Sequence, residues 1–154
     1  MPLRALSFAV ASGRVGYVFV VDGQAKDWSI SKKMFTSPEL AAGWARKLIS
    51  ELRPNLLLTE ALDDRCRKGE AAKGVIDAIA RACVESGEHH SAISAPPEKK
   101  CANKYEEAAA LADRFPEIAP WLPTGRRAWE GEPAKTVYIE ALRRVVAVMD
   151  DERA

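Results

Sequence analysis

Asn55-Leu56-Leu57-Leu58-Thr59-Glu60 is the stretch on which the fold turns. Three consecutive leucines, bounded by Arg53-Pro54 before and a polar pair after, are too short for a helix. They suit a strand covered on both faces. The run delivers a carboxylate, Glu60, at its end. Upstream, Arg4 to Ala11 is apolar and strand-like, and Ser12-Gly13-Arg14 is a turn. Val15-Gly16-Tyr17-Val18-Phe19-Val20-Val21 is β-branched and aromatic, which predicts a strand. Asp22-Gly23 is a strong hairpin signal. Lys26-Asp27-Trp28-Ser29-Ile30-Ser31 alternates and reads as a third, edge-like strand. Ser37-Pro38-Glu39 then opens a helix, with Ser37 as N-cap and Pro38 at the first helical position. Leu40, Ala41, Trp44, Ala45, Leu48 and Ile49 recur at helical spacing, so one side of it is buried.

Downstream the chain is mostly helical. Gly69 to Ser86 carries a stripe at Ala72, Val75, Ile76, Ile79, Ala80 and Cys83. His90 to Ala95 is a short strand candidate, stopped by Pro96-Pro97. Asn103 to Phe115 is an Ala-rich helix, and Pro116 to Gly125, with three prolines, is a loop. Pro133 opens the last helix, with Val137, Tyr138, Ala141, Leu142, Val145, Val146 and Val148 facing inward. The order β-β-β-α-β-α-β-α-α predicts an α/β fold. Three antiparallel strands followed by α/β units form a mixed sheet with helices on both faces. Residues 1–154 are expected to form a single domain.

Composition narrows the function classes. With 47% apolar and 29% charged residues the chain is of ordinary globular type. Its formal net charge of +1 demands no polyanion partner, so local clusters must carry any such interaction. Cys66, Cys83 and Cys101 are widely spaced and odd in number. No CxxC occurs, and His89-His90 has no Cys at ligand spacing, which argues against a disulfide scaffold or structural zinc. No signal peptide and no apolar run of spanning length is seen, so a soluble, cytoplasmic protein is expected. No phosphate-cradling Gly-rich loop, GxSxG or placed Cys-His pair is present, which disfavours other common enzyme classes.

The candidate chemistry lies in two acids. Glu60 stands at the tip of a buried strand and Glu140 on the last helix. That is how a two-metal nuclease site is assembled. The first strand, Leu6-Ser7-Phe8-Ala9-Val10-Ala11-Ser12, supplies no third acid. Each residue also has a plainer reading. Acids are common where strands end, so Glu60 is equally an ordinary loop residue. Glu140 has Arg143 and Arg144 at i+3 and i+4, the spacing of a surface ion pair.

The element order resembles the ribonuclease-H-like fold and, within it, the RuvC-type Holliday junction resolvases. Val10-Ala11-Ser12 followed by Gly16-Tyr17 resembles the first-strand motif. Leu57-Leu58-Thr59-Glu60 resembles the fourth-strand motif with its catalytic Glu. Ile139-Glu140-Ala141-Leu142 resembles the last-helix motif, in which an Asp usually precedes Ala-Leu. Phe115-Pro116-Glu117 and the stretch from Leu122-Pro123 to Trp129-Glu130 add to the likeness. The resemblance implies an endonuclease that depends on Mg²⁺ or Mn²⁺ and acts on branched or structured DNA. It implies Glu60 and Glu140 as catalytic, metal-binding residues, and it is compatible with a homodimer. Counting back seven from Gly16, however, lands on Ala9 where the family has its first Asp. Ala9 fits either a degenerate member or an inactivating substitution. The expectation is therefore impaired cleavage with weak or absent metal binding. The alternative is a catalytically inactive nucleic-acid-binding or interaction module on the same fold.

Three basic clusters are candidates for DNA contact: Arg65, Arg67, Lys68 and Lys73; Lys99, Lys100 and Lys104; and Arg126 with Arg127. Phosphates would be their partners on branched or duplex DNA. A solvated surface is the equal alternative. Trp121 and Trp129 bracket the last cluster, as base-stacking residues or as a loop packed back on the core.

Overall fold

The computed structural model describes residues 3–11, 13–60, 69–86, 104–122 and 132–153. For 104–106, 132–136 and 151–153 it describes the backbone alone. Four strands form one sheet in the order β3-β2-β1-β4. β1 (Arg4–Ala11) runs antiparallel to β2 (Arg14–Val21), with Ala9 opposite Gly16. β2 in turn pairs antiparallel with β3 (Gln24–Ser31). β4 (Leu56–Leu58) lies parallel to β1, from Ala5↔Leu56 to Ser7↔Leu58. The antiparallel pairings are the ones the sequence predicts. Asp22 and Gly23 both take positive φ, 52° and 81°. That is the requirement of a type I′ hairpin, which Asp-Gly meets at little strain. β3 begins two residues earlier than its alternation suggested. Val20 faces Ala25 while Phe19 faces Asp27, so Lys26 is the extra residue of a bulge.

Both faces of the sheet are covered, which is why Leu56 to Leu58 could be apolar on successive residues. One face presents Leu6, Phe8, Val10, Tyr17, Phe19 and Leu57 to α1 (Pro38–Leu52) and α2 (Glu70–Glu85). Ser37 caps α1 as its sequence implied, accepting from Leu40 N–H at 3.4 Å. Leu40 itself, expected inward, is 41% exposed on the first turn. The far end of α1 is tied to the start of β1. Arg4 Nε donates to the Arg53 carbonyl at 3.1 Å, and its guanidinium lies 5.3 Å over the Phe19 ring.

The opposite face is lined along β1 by small residues, Ala5 and Ala9, and receives α3 (Lys104–Arg114) and α4 (Glu132–Arg153). Ile139, outside the expected stripe of α4, is buried too, in the same cluster as Leu111, Phe115 and Ile118. The proline-rich stretch after α3 is more ordered than a loop as far as it is described. Ala119–Trp121 forms a 3-10 turn. Glu117 accepts the Ala25 N–H at 3.2 Å, and Trp121 packs edge-on against Trp28 at 5.1 Å. The strand candidate at His90 to Ala95 lies outside the described residues. Among those described, no helix is long and apolar enough to cross a membrane.

Gly16 is fixed by contact rather than by conformation. A Cβ there would sit 2.4 Å from Val137 Cγ1 and 3.0 Å from the Ser29 carbonyl oxygen. The glycine is what lets α4 press onto the β1–β2 pair. Gly16→Ala is therefore expected to cost ~1–3 kcal/mol by overpacking. Adding Val137→Ala should recover part of that cost, and denaturant unfolding of the two single variants and the double variant checks the coupling. A second expectation concerns Cys83, which is fully buried with its thiol pushed up to about 12 by that burial. In a Cys66→Ser/Cys101→Ser background it should not react with a disulfide reagent at pH 8 until denaturant is added. A reactive thiol in the native state would contradict the packing of α2 on the sheet.

Candidate functional site

Glu60 is delivered where its sequence position suggested. β4 ends at Leu58, Thr59 is buried, and Glu60 follows at the rim. Carried two residues past Ser7↔Leu58, the parallel register sets Glu60 level with Ala9. Phe8, Ala9, Val10, Thr59 and Glu60 line a cleft of about 10 Å³, closed on one side by Ile76 and Ile79 of α2. It has room for a water-sized group.

α4 brings the second acid and, with it, a cation. Glu140 lies one turn before Arg144. Arg144 is not on the surface; it is 6% exposed. Its Nη1 donates to the Phe8 carbonyl at 2.7 Å, and its Nη2 lies 3.5 Å from Glu60 Oε1. Burial pushes the guanidinium below its ordinary range, while the charges of Glu140 and Glu60 act to hold it up. It remains a cation nonetheless. Arg143 turns the other way. Its Nε donates to Glu107 Oε2 of α3 at 2.8 Å, and a second guanidinium nitrogen reaches the other carboxylate oxygen. That hydrogen-bonded pair raises Arg143, against the opposing effect of burial. The two arginines at i+3 and i+4 thus sit in separate arrangements, one buried and one linking α3 to α4, and both still feel the charge of Glu140.

Arg144 is the member of this cluster whose placement the sequence reading missed. Its signal was present: position 144 is seven residues from Val137 and three from Ala141, on the apolar stripe itself. A lone arginine on a buried stripe requires buried anions, and two were already in hand.

Mg²⁺ or Mn²⁺, which the resemblance implies, does not fit these side chains. Such ions need several oxygen ligands in defined geometry. Among the described residues no group of three or more His, Cys, Asp or Glu is gathered. Ala9 offers no ligand atom. The guanidinium within reach of Glu60 has no lone pair to donate and repels a cation.

Of the candidate DNA-contacting residues, only the Lys73 side chain is described. It lies on the first turns of α2, 4.0 Å from Glu70. Arg65, Arg67, Lys68, Lys99, Lys100, Arg126 and Arg127 lie outside the described residues, as does the side chain of Lys104 at the start of α3.

No protein-family model and no curated protein matches the sequence. Solved structures do match the fold. RuvC of Thermus thermophilus in complex with a Holliday junction substrate superposes with a TM-score of 0.60 at 14% identity, over 92% of this chain and 91% of that one. The Fowlpox virus resolvase, in complex with Holliday junction DNA, gives 0.56 at 9% identity, over 97% and 98%. The yeast mitochondrial Holliday junction resolvase Ydc2 gives 0.56 at 13% identity, over 98% of this chain and 82% of that one. Identities this low speak for architecture, and the architecture agrees across nearly the whole length. The four-stranded mixed sheet with helices on both faces is a RuvC-like ribonuclease-H fold.

Proposed function

We propose that this chain is a DNA-binding protein on the resolvase fold that engages branched DNA without cutting it by a metal-dependent route. The observation that carries the reading is Ala9 level with Glu60. At the point of the sheet where two strand ends meet, one carboxylate stands where such a mechanism needs two. A two-metal displacement requires ions about 3.5–4 Å apart, clamped by carboxylates that bridge them. Glu60 and Glu140 can neutralise about one ion's charge and cannot bridge a pair.

DNA as partner is supported by the fold, which two of the compared proteins use on Holliday junctions. It is also consistent with the basic clusters at Arg65–Lys73, Lys99–Lys104 and Arg126-Arg127. With a net charge of +1, affinity would come from these local clusters rather than from the field of the whole molecule. An impaired endonuclease remains the second reading, favoured by the retention of both Glu60 and Glu140.

The test is a fluorescence anisotropy titration of a synthetic four-way junction, run beside a cleavage assay with Mg²⁺ and with Mn²⁺. Binding should weaken steeply as salt rises. Lys99→Glu with Lys100→Glu should reduce the slope of log K against log salt by up to about two, since each phosphate contact contributes roughly 0.9. No cleavage product should appear. Absence of binding at low salt removes DNA as the partner. Robust cleavage that survives Glu60→Gln removes the site.

A further inference from the structure

The cation at the centre of the candidate site belongs to the chain itself. We infer that Arg144 is the resident cation of the Glu60–Glu140 pair: its guanidinium places one fixed positive charge against the two carboxylates, where a divalent ion would otherwise sit, and it keeps Mg²⁺ and Mn²⁺ out. This deepens the proposed function and rests on its reading of Glu60 and Glu140 as the remnant of a nuclease site.

Three features carry the inference. First, Arg144 is fixed in place. It is 6% exposed, with one nitrogen on the Phe8 carbonyl at 2.7 Å and another 3.5 Å from Glu60. The Phe8 carbonyl belongs to the peptide that joins Phe8 to Ala9, so the guanidinium sits against the backbone at the position that lacks its acid. Second, its neighbour Arg143 does not compete for the role, because it is held by both oxygens of Glu107. A side chain that cannot leave and carries a fixed positive charge opposes entry of a second cation at short range. Third, Arg144 Nε is buried with no hydrogen-bond partner among the described residues. Ala9 packs in the same cluster as Val137, Ala141 and Leu142 of α4. A carboxylate introduced at position 9 would therefore meet a waiting N–H donor before it met a metal ion. Restoring the missing acid should complete an ion cluster and leave the metal site closed.

The experiment uses the full chain, with Mn²⁺ as the probe because it tolerates imperfect geometry. Wild type, Ala9→Asp, Arg144→Gln and Ala9→Asp/Arg144→Gln are compared by thermal unfolding with and without Mn²⁺ and by electron paramagnetic resonance of free Mn²⁺. Gln removes the charge and retains a shorter amide donor on the same helix position. Wild type and Ala9→Asp should show no Mn²⁺-dependent change. Ala9→Asp/Arg144→Gln should bind the ion, and its Tm should rise by roughly 5–10 °C at about a hundred times Kd. Adding Glu60→Gln should abolish that rise. Binding of Mn²⁺ by wild type or by Ala9→Asp with Arg144 intact overturns the inference. So does a folded Ala9→Asp/Arg144→Gln variant that ignores Mn²⁺. If that variant folds only when Mn²⁺ is present, the inference is supported. If it folds under neither condition, the wild-type and Ala9→Asp arms decide by the same criterion. Four-way junction binding is measured on the same samples. A wild type that ignores DNA sinks the DNA reading alone, whereas metal binding with Arg144 intact sinks this inference alone.

Discussion

Arg144 joins three elements that the chain order keeps far apart. From α4 it reaches the Phe8 carbonyl of β1 and the Glu60 carboxylate at the end of β4. A buried ion pair of this kind is weak evidence for net stability, because desolvating the charges offsets much of their attraction. Its effect lies in specificity. With the guanidinium buried, the observed placement of α4 gives it the Phe8 carbonyl and the Glu60 carboxylate together. A slide of one turn along the helix axis would carry Arg144 and Glu140 away together and part the guanidinium from the Phe8 carbonyl and from Glu60. The apolar stripe of α4 tolerates more than one registration; the cluster at Arg144 selects among them.

That selection works because the surrounding packing lets α4 come close. β1 presents Ala5 and Ala9 to this helix, and the neighbouring strand presents Gly16 directly opposite Ala9. At Gly16 the approach is so near that a single methyl group would collide with Val137. The other face of the same strand carries Leu6, Phe8 and Val10 toward α1 and α2. Large residues on one face and small ones on the other give the two helical layers different distances from the sheet. The thin side is the one on which the charged groups meet.

Much of this architecture could be read from residues alone, for definite reasons. Strands declared themselves through β-branched runs and an Asp-Gly turn whose two residues adopt the left-handed conformations that the pair suggests. The Ser37-Pro38 start of α1 is local chemistry and behaved locally. What escaped was non-local. The bulge at Lys26 depends on where Ala25 meets Val20 and Glu117, a partner 92 residues away. Ile139 is buried because α3 covers its flank, which no single-helix periodicity reveals. In the candidate site, Glu60 and Glu140 were legible as acids at the ends of the right elements. Arg144 was not, because an arginine four residues after a glutamate ordinarily means a solvated pair. Only its coincidence with the stripe of Val137 and Ala141 pointed inward.

The residues that hold this fold and those that would carry its chemistry are largely separate sets, and their separation explains how one can persist without the other. Leu56 to Leu58, Gly16 and the α4 stripe act through packing, which is indifferent to the charge at position 9. An aspartate at that position would be a carboxylate in a site that leaves Ala9 2% exposed, level with Glu60. Such a group is tolerable only while cations neutralise it. An alanine there removes the charge and packs beneath α4. Glu60 and Glu140 keep their own demand for a counter-charge, because the strand end and the helix turn that carry them are fixed by the core. A guanidinium on the buried stripe of the same helix meets part of that demand from within the chain. The pair of acids and the arginine are therefore best understood together, as a charge balance that the architecture imposes whether or not any reaction takes place there.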